Sequence, residues 1–142
     1  METADKQQFV EFGVGDEFYA ILISEVHEII RLQHISDIPN CRDYVNGVIN
    51  LRGKIVPVVS LRKMFHLGDY EPTKATRIVV LKHREESVGI IVDRVNQVTT
   101  FSDIQPPPER VGGISGTYFA GIGISAKGLT GILKLDEMLN RE

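Results

Sequence analysis

An arginine at a predicted turn and a carboxylate in an apolar context are the residues best placed for specific chemistry. Arg52 lies in the polar stretch Asn50-Leu51-Arg52-Gly53, which separates two very apolar runs. A guanidinium held rigidly in a turn can bind a carboxylate through two parallel hydrogen bonds. Glu28 is the candidate partner, so we expect a Glu28–Arg52 ion pair. A plain β-turn with a solvated arginine is equally compatible with the sequence.

The carboxylates also leave a catalytic interpretation open. A small enzyme could use Glu28 or Asp93 as a general acid or base if a deep pocket placed a second titratable group opposite. Known nucleotide and hydrolase motifs fail, however. The glycines of Gly121–Ala126 precede a turn and a strand instead of a helix, and neither a Gly-Lys-Ser/Thr loop nor a Gly-x-Ser-x-Gly elbow occurs. These motifs therefore give no support to an enzyme, and the alternative that uses Glu28 or Asp93 stays open at this point.

Composition argues against several other classes. The 142 residues carry a net charge of −3, which is unfavourable for binding the phosphates of nucleic acids. A nucleic-acid-binding small barrel would need a basic groove lined by aromatic residues, whereas the aromatics here lie mostly in apolar strand patterns. The single cysteine, Cys41, cannot form an internal disulfide, and the four histidines lack ligand spacing. We expect no nucleic acid, no metal and no cofactor.

The cellular location of the protein is predicted from its N-terminal residues and from its longest uncharged stretch. Charges and glutamines fill Met1–Val10, where a signal peptide would have an apolar core. Val111–Ala126 is shorter than the roughly 20 apolar residues of a membrane-spanning helix. We expect a cytoplasmic protein without direct membrane insertion.

Four hairpin patterns dominate the chain. In each, two Val- and Ile-rich runs flank a few turn residues, which is typical of β-hairpins. The predicted strand pairs are Gln8–Val14 with Glu17–Ile23, Val45–Leu51 with Lys54–Leu61, Arg77–Lys82 with Ser87–Val98, and Tyr118–Ser125 with Leu129–Leu135.

Helical patterns are few. Leu61–Leu67 has one apolar face, Asp136–Arg141 predicts a short terminal helix capped by Asp136, and Ser24–Ile29 fits one helical turn. For Ser102–Thr117, which holds three consecutive prolines, a surface loop is favoured over a ligand for a proline-binding domain.

The order of strand, basic-Gly turn, strand and helical tail occurs twice, at Gly47–Leu61 and Gly121–Leu135. Many short strands at regular spacing favour small barrels over a parallel sheet. We expect two similar barrel-like halves joined near His66–Thr76.

The stretch Gly47–Leu61, followed by Arg62-Lys63-Met64-Phe65, resembles the signature of the CheW family of chemotaxis coupling proteins. The resemblance starts near Phe9 and continues to Leu139, so it covers nearly the whole chain. It implies a mainly β fold of two intertwined five-stranded SH3-like β-barrels with short helices, including a C-terminal helix. A single domain, residues 1–142, would contain a first barrel of about 8–65 with the helix 136–141, and a second of about 76–135.

The resemblance also implies a function. Members of this family are non-catalytic adaptors that connect the cytoplasmic tip of methyl-accepting chemoreceptors to the regulatory domain of the chemotaxis histidine kinase CheA. A groove between the barrels would take the receptor's helical hairpin. We expect a monomer in isolation that is recruited to membrane-associated receptor arrays.

Individual residues take roles from the same resemblance. The family's ion pair matches Glu28 and Arg52. Neighbouring positions assigned to receptor coupling are Val26, Gly47, Asn50 and Gly53. The positions assigned to kinase binding are Thr76, Arg77, Ile78, Val79, Val88 and Gly89. Arg77 departs from this pattern, because an apolar residue would be buried there more easily.

Overall fold

The computed structural model describes residues 7–39, 43–68 and 71–139. The protein is mainly β, with two larger sheets and few short helices, which confirms the predicted fold class. Its strands in chain order are β1 (Phe9–Val14), β2 (Glu17–Leu22), β3 (Val26–Arg31), β4 (Val45–Leu51), β5 (Lys54–Ser60), β6 (Arg77–His83), β7 (Glu86–Val92), β8 (Arg94–Thr99), β9 (Asp103–Gln105), β10 (Arg110–Val111), β11 (Ile114–Ser115), β12 (Phe119–Ser125) and β13 (Gly128–Leu133).

The chain divides into two compact units, one of residues 1–24 with 96–142 and one of residues 25–95. This division differs from the expected barrels of residues 8–65 and 76–135. The physical reason is the parallel pairing of β2 with β13, in which Tyr19 lies opposite Gly131. That pairing joins the first hairpin to the last one instead of to the central strands.

The unit formed by both chain ends contains a six-stranded sheet in the order β8-β1-β2-β13-β12-β9. β8 and β9 lie at opposite edges, yet only residues 100–102 connect them. Five flat strand spacings would separate the edges by about 24 Å, whereas the connection spans at most about 14 Å. The sheet must therefore curl until its two edges approach each other.

Aromatic side chains fill the core of this unit. The rings of Phe9 and Phe101 lie 5.3 Å apart beside Ala20 and Ile132. Tyr19 stacks between Phe12 and Phe119, at centroid distances of 6.2 and 6.4 Å. Burial, and to a lesser extent the charge of Glu17, raises the pKa of Tyr19 to about 12.

The unit of residues 25–95 contains a five-stranded sheet in the order β3-β6-β7-β5-β4, around a core of Ile49, Val56, Val58, Ile78 and Val80. The segment after β3 returns to the far edge of this sheet. There Ser36 exchanges two backbone hydrogen bonds with Val48 of β4, at 2.8 and 2.9 Å. The sheet thereby closes on itself, as the predicted barrel requires.

The first helix is shorter than the predicted Leu61–Leu67. α1 (Leu61–Met64) begins after Ser60, whose Oγ accepts a hydrogen bond from the Lys63 amide. α2 (Leu135–Leu139) begins one residue before Asp136, so that Asp136 lies in the first turn and does not cap it. Residues 140 and 141 of the predicted helix lie outside the described residues.

Three local predictions were wrong in detail. Only Ile23–Glu25 form a helical turn, of the 3₁₀ type, and the rest of Ser24–Ile29 belongs to β3. The predicted strand Ser87–Val98 is interrupted at Asp93 and forms β7 and β8. The segment Ser102–Thr117 is not a plain loop, since it contains β9, β10 and β11.

Candidate functional site

The β4–β5 hairpin presents Arg52 in an unusual backbone conformation. Leu51 pairs with Lys54, and the two connecting residues, Arg52 and Gly53, have φ angles of 52° and 86°. Positive φ at both positions defines a type I′ turn, whose first position favours Asn, Asp or Gly. Asn50 Oδ1 accepts a hydrogen bond of 2.9 Å from the Gly53 amide and so fixes the turn.

Glu28 is anchored by the register of β3. A bulge lies between Val26 and Glu28, and beyond it Glu28 pairs with Val80 of β6. Directly opposed residues in a sheet point to the same face, and Val80 belongs to the buried core. Glu28 therefore extends from the core-facing side of β3, and its side chain is 21% exposed.

The two side chains form the ion pair that the sequence predicted. Arg52 Nη2 donates to Glu28 Oε1 at 2.6 Å and Nη1 donates to Oε2 at 2.8 Å. The Arg52 side chain is 67% exposed. Because an exposed ion pair contributes about 1 kcal/mol or less to stability, its main effect is to hold the guanidinium in one orientation.

The remaining predicted coupling positions lie in the same unit with different surroundings. Asn50 and Gly53 shape the turn beneath Arg52, and Val26 is half-buried on the other side of the β3 bulge. Gly47 has a φ of 147°, and a Cβ there would lie 2.0 Å from the Ser36 carbonyl oxygen. Gly47 thus allows the close approach that closes the barrel and offers no side chain to a partner.

The predicted kinase-binding residues are mostly buried. Thr76, Ile78 and Val79 are at most 3% exposed, and Gly89 is buried as well. The apolar pattern that suggested an accessible face belongs to central strands covered on both sides, because successive strand residues point to opposite faces. Among the six positions, only Arg77 and Val88 keep partial side-chain exposure.

Arg77 departs from the family pattern for a local reason. Its Nη1 donates to the carbonyl oxygens of Lys74 and Thr76, at 2.7 and 2.9 Å. Thr76 in turn closes the preceding turn, since its Oγ1 accepts a hydrogen bond of 2.9 Å from the Thr73 amide. These contacts stabilise the entry into β6.

A second arginine–carboxylate pair was not predicted. Arg62 of α1 donates to Asp93 through Nη2 at 2.7 Å and through Nε at 3.2 Å. The side chains are only 16% and 5% exposed. The signal in the sequence was a charged residue inside the apolar run Ser87–Val98, which the strand prediction passed over.

The alternative functions find little support in this geometry. Both carboxylates considered for acid–base chemistry are bound bidentately by arginines. Within the described part of the chain, no three His, Cys, Asp or Glu side chains lie close enough to hold a metal ion. Five phenylalanines that could have stacked on bases are buried, namely Phe9, Phe12, Phe65, Phe101 and Phe119.

One further finding concerns membranes. Across residues 7–39, 43–68 and 71–139, the structure contains no helix with the length and hydropathy needed to span a bilayer.

Fold and site together define a mainly β protein of two small curled sheets, one of which carries an ordered ion pair on its surface. The family model described as CheW-like domain matches residues 8–142, and the chain belongs to that family.

Individual proteins agree with this assignment. The chain is 35% identical over 137 residues to the chemotaxis protein CheW of Helicobacter pylori, covering 95% of this chain and 82% of that protein. It is 36% identical over 129 residues to the chemotaxis protein CheW of Treponema pallidum, covering 86% and 76%. The crystal structure of the scaffolding protein TtCheW from Thermoanaerobacter tengcongensis matches with a TM-score of 0.86 at 33% identity, covering 93% and 86%.

Proposed function

We propose that this protein is a non-catalytic chemotaxis adaptor. It connects the cytoplasmic tip of methyl-accepting chemoreceptors to the regulatory domain of the histidine kinase CheA, in the cytoplasm at receptor arrays. Support comes from relatives that carry the name chemotaxis protein CheW and from a similar structure described as a scaffolding protein.

The exposed, anchored guanidinium of Arg52 is the observation on which the receptor contact rests. An arginine has five N–H donors, and Glu28 accepts hydrogen bonds from two nitrogens of Arg52. The remaining donors can bind carboxylates or terminal carbonyl groups of a helical receptor tip. Because Glu28 already fixes the side chain, binding costs less conformational entropy than it would for a free arginine.

The β6–β7 strand pair remains the proposed kinase contact, but its residues take different roles from those expected. Arg77 and Val88 supply the side-chain surface. The buried residues Thr76, Ile78, Val79 and Gly89 support these strands from within.

The proposal is tested by calorimetric titration of the purified protein against the CheA regulatory domain and a receptor-tip helical hairpin. We expect saturable binding to both. Arg52→Asn removes the guanidinium but keeps the turn, because Asn-Gly is a preferred type I′ pair. It should weaken receptor binding about tenfold or more, the loss expected for a charged hydrogen-bonding group, and leave kinase binding unchanged.

Arg84→Asn is the matched control. Arg84 is also an exposed arginine at positive φ, 62°, in the two-residue β6–β7 connection. It should bind the receptor-tip hairpin like the wild type, because it lies outside the β4–β5 hairpin. If the folded wild-type protein bound neither partner, the adaptor proposal would be refuted.

A further inference from the structure

Gln33 contacts the tip of the hairpin that carries Arg52. Its Nε2 donates to the carbonyl oxygen of Asn50 at 3.3 Å. The side chain of Asn50 simultaneously holds the Gly53 amide. Gln33 therefore touches the residue that shapes the turn beneath the guanidinium.

The residues on either side of Gln33 hold its segment of backbone beside the end of β4. Leu32 and Ile35 pack against the core of this unit. The bridge between Ser36 and Val48 is isolated, so the regular ladder stops there. Continuing this antiparallel register would place residue 34 opposite Asn50. The amide of Gln33 supplies, from a side chain, the donor that the ladder would have provided to the Asn50 carbonyl.

We propose that Gln33 is a positioning residue that acts together with Glu28. Glu28 holds the guanidinium of Arg52, and Gln33 holds the backbone of its turn, both from the stretch that begins with β3. The inference depends on the proposed function for its effect on receptor binding. The positioning itself is measurable in the free protein.

Gln33→Met tests the positioning, because it keeps the length of the side chain and removes the donor. In the free protein, NMR should show amide exchange of Gly53 faster by about two- to tenfold, the range expected for one neutral hydrogen bond. The Nε–H relaxation of Arg52 should show increased motion. Gln33→Arg restores a donor and should return both signals to within about twofold of the wild type.

Gln105→Met is the matched control in the other unit, where Gln105 Nε2 donates to Asp103 Oδ2 at 2.7 Å. It should leave the Gly53 and Arg52 signals unchanged. Unchanged signals in Gln33→Met would overturn the inference. A general increase in exchange across β4 and β5 would indicate loss of the fold in this variant, and the isosteric Gln33→Glu then decides the matter. Unchanged Gly53 and Arg52 signals in a folded Gln33→Glu would overturn the inference.

Titration with the receptor-tip hairpin links this inference to function. Gln33→Met should weaken receptor binding by about two- to tenfold and leave binding to the CheA regulatory domain unchanged. If the NMR signals change but neither Gln33→Met nor Arg52→Asn affects receptor binding, the positioning role stands and the proposed receptor contact fails.

Discussion

At the residue scale, Arg52 combines a favourable side-chain contact with an unfavourable backbone position. A left-handed conformation costs a non-glycine residue about 1–2 kcal/mol, and asparagine tolerates it better than arginine. An exposed ion pair offsets only part of this cost. Stability alone therefore does not account for arginine at this position, and the proposed receptor contact would give its exposed donors a use.

The buried pair Arg62–Asp93 should respond very differently to substitution. Asp93→Ala leaves the largely buried guanidinium of Arg62 without its carboxylate. Removing one partner of a buried ion pair typically costs about 3–5 kcal/mol. Urea denaturation should show a loss of this size, and the double variant Arg62→Met/Asp93→Leu should recover part of it. A loss below about 1 kcal/mol would mean that the pair behaves like a surface contact.

Tyr19 should make stability depend on alkaline pH. Its pKa is raised from 10.0 to about 12 in the folded protein, so the unfolded chain loses this proton first. The contribution to stability is full below pH 10 and is lost as the pH rises through 12, with a slope of up to about 1.4 kcal/mol per pH unit. Denaturation of Tyr19→Phe between pH 9 and 12, compared with the wild type, should lack this slope. Identical pH profiles would contradict the prediction.

At the element scale, closure of the residue 25–95 barrel depends on one close approach. Gly47→Ala places a Cβ against the Ser36 carbonyl and pushes the segment after β3 away from β4. We expect a loss of about 2 kcal/mol or more in the free energy of unfolding, from a strained φ together with overpacking.

Gly128→Ala separates these two causes. Gly128 has a similar φ of 133°, but no atom lies within 4 Å of its added Cβ. Gly128→Ala should therefore lower the free energy of unfolding by a smaller amount, from backbone strain alone. Equal decreases in the two variants would show that the contact with Ser36 has no energetic effect. Because Gly47→Ala also disturbs the segment that holds Gln33, it should weaken receptor binding without any direct contact.

Structural features that depend on neighbouring residues were predictable from the sequence, whereas most features that depend on contacts between distant residues were not. The hairpin of β4 and β5 was predicted nearly to the residue, because a constrained turn separates two apolar runs. The Glu28–Arg52 pair joins residues 24 positions apart. The turn left it open beside a solvated arginine, and the resemblance to the CheW family favoured it. The Arg62–Asp93 pair joins residues 31 positions apart, and the buried state of Ile78 and Val79 depends on what covers both faces of β6. Asp93 is recognisable locally as a charge within an apolar run, but no local pattern identifies Arg62 as its partner or shows what covers β6.

At the scale of the whole molecule, one unit is contiguous and the other contains both chain ends. A chain truncated after Ser125 loses β13, which lies between β2 and β12 in the six-stranded sheet. We expect the amides of β1 and β2 to lose protection from hydrogen exchange. The amides of β4, β5, β6 and β7 should keep theirs, because their sheet is complete within residues 25–95. Equal loss of protection in all strands would show that the two units fold as one cooperative body.

The pairing of β2 with β13 also means that, during synthesis, β2 is made well before the strand with which it pairs. Synthesis of the first hairpin is complete at residue 22, but its parallel neighbour ends at residue 133. At roughly 5–20 residues per second, the apolar face of the first hairpin waits roughly 6 to 22 s for its partner strand. Meanwhile the whole unit of residues 25–95 has been made and is free to form. If the unit of residues 25–95 folds on its own, the nascent chain passes through a stage with one complete barrel and one exposed hairpin, and exposed apolar strands of this kind are prone to aggregate.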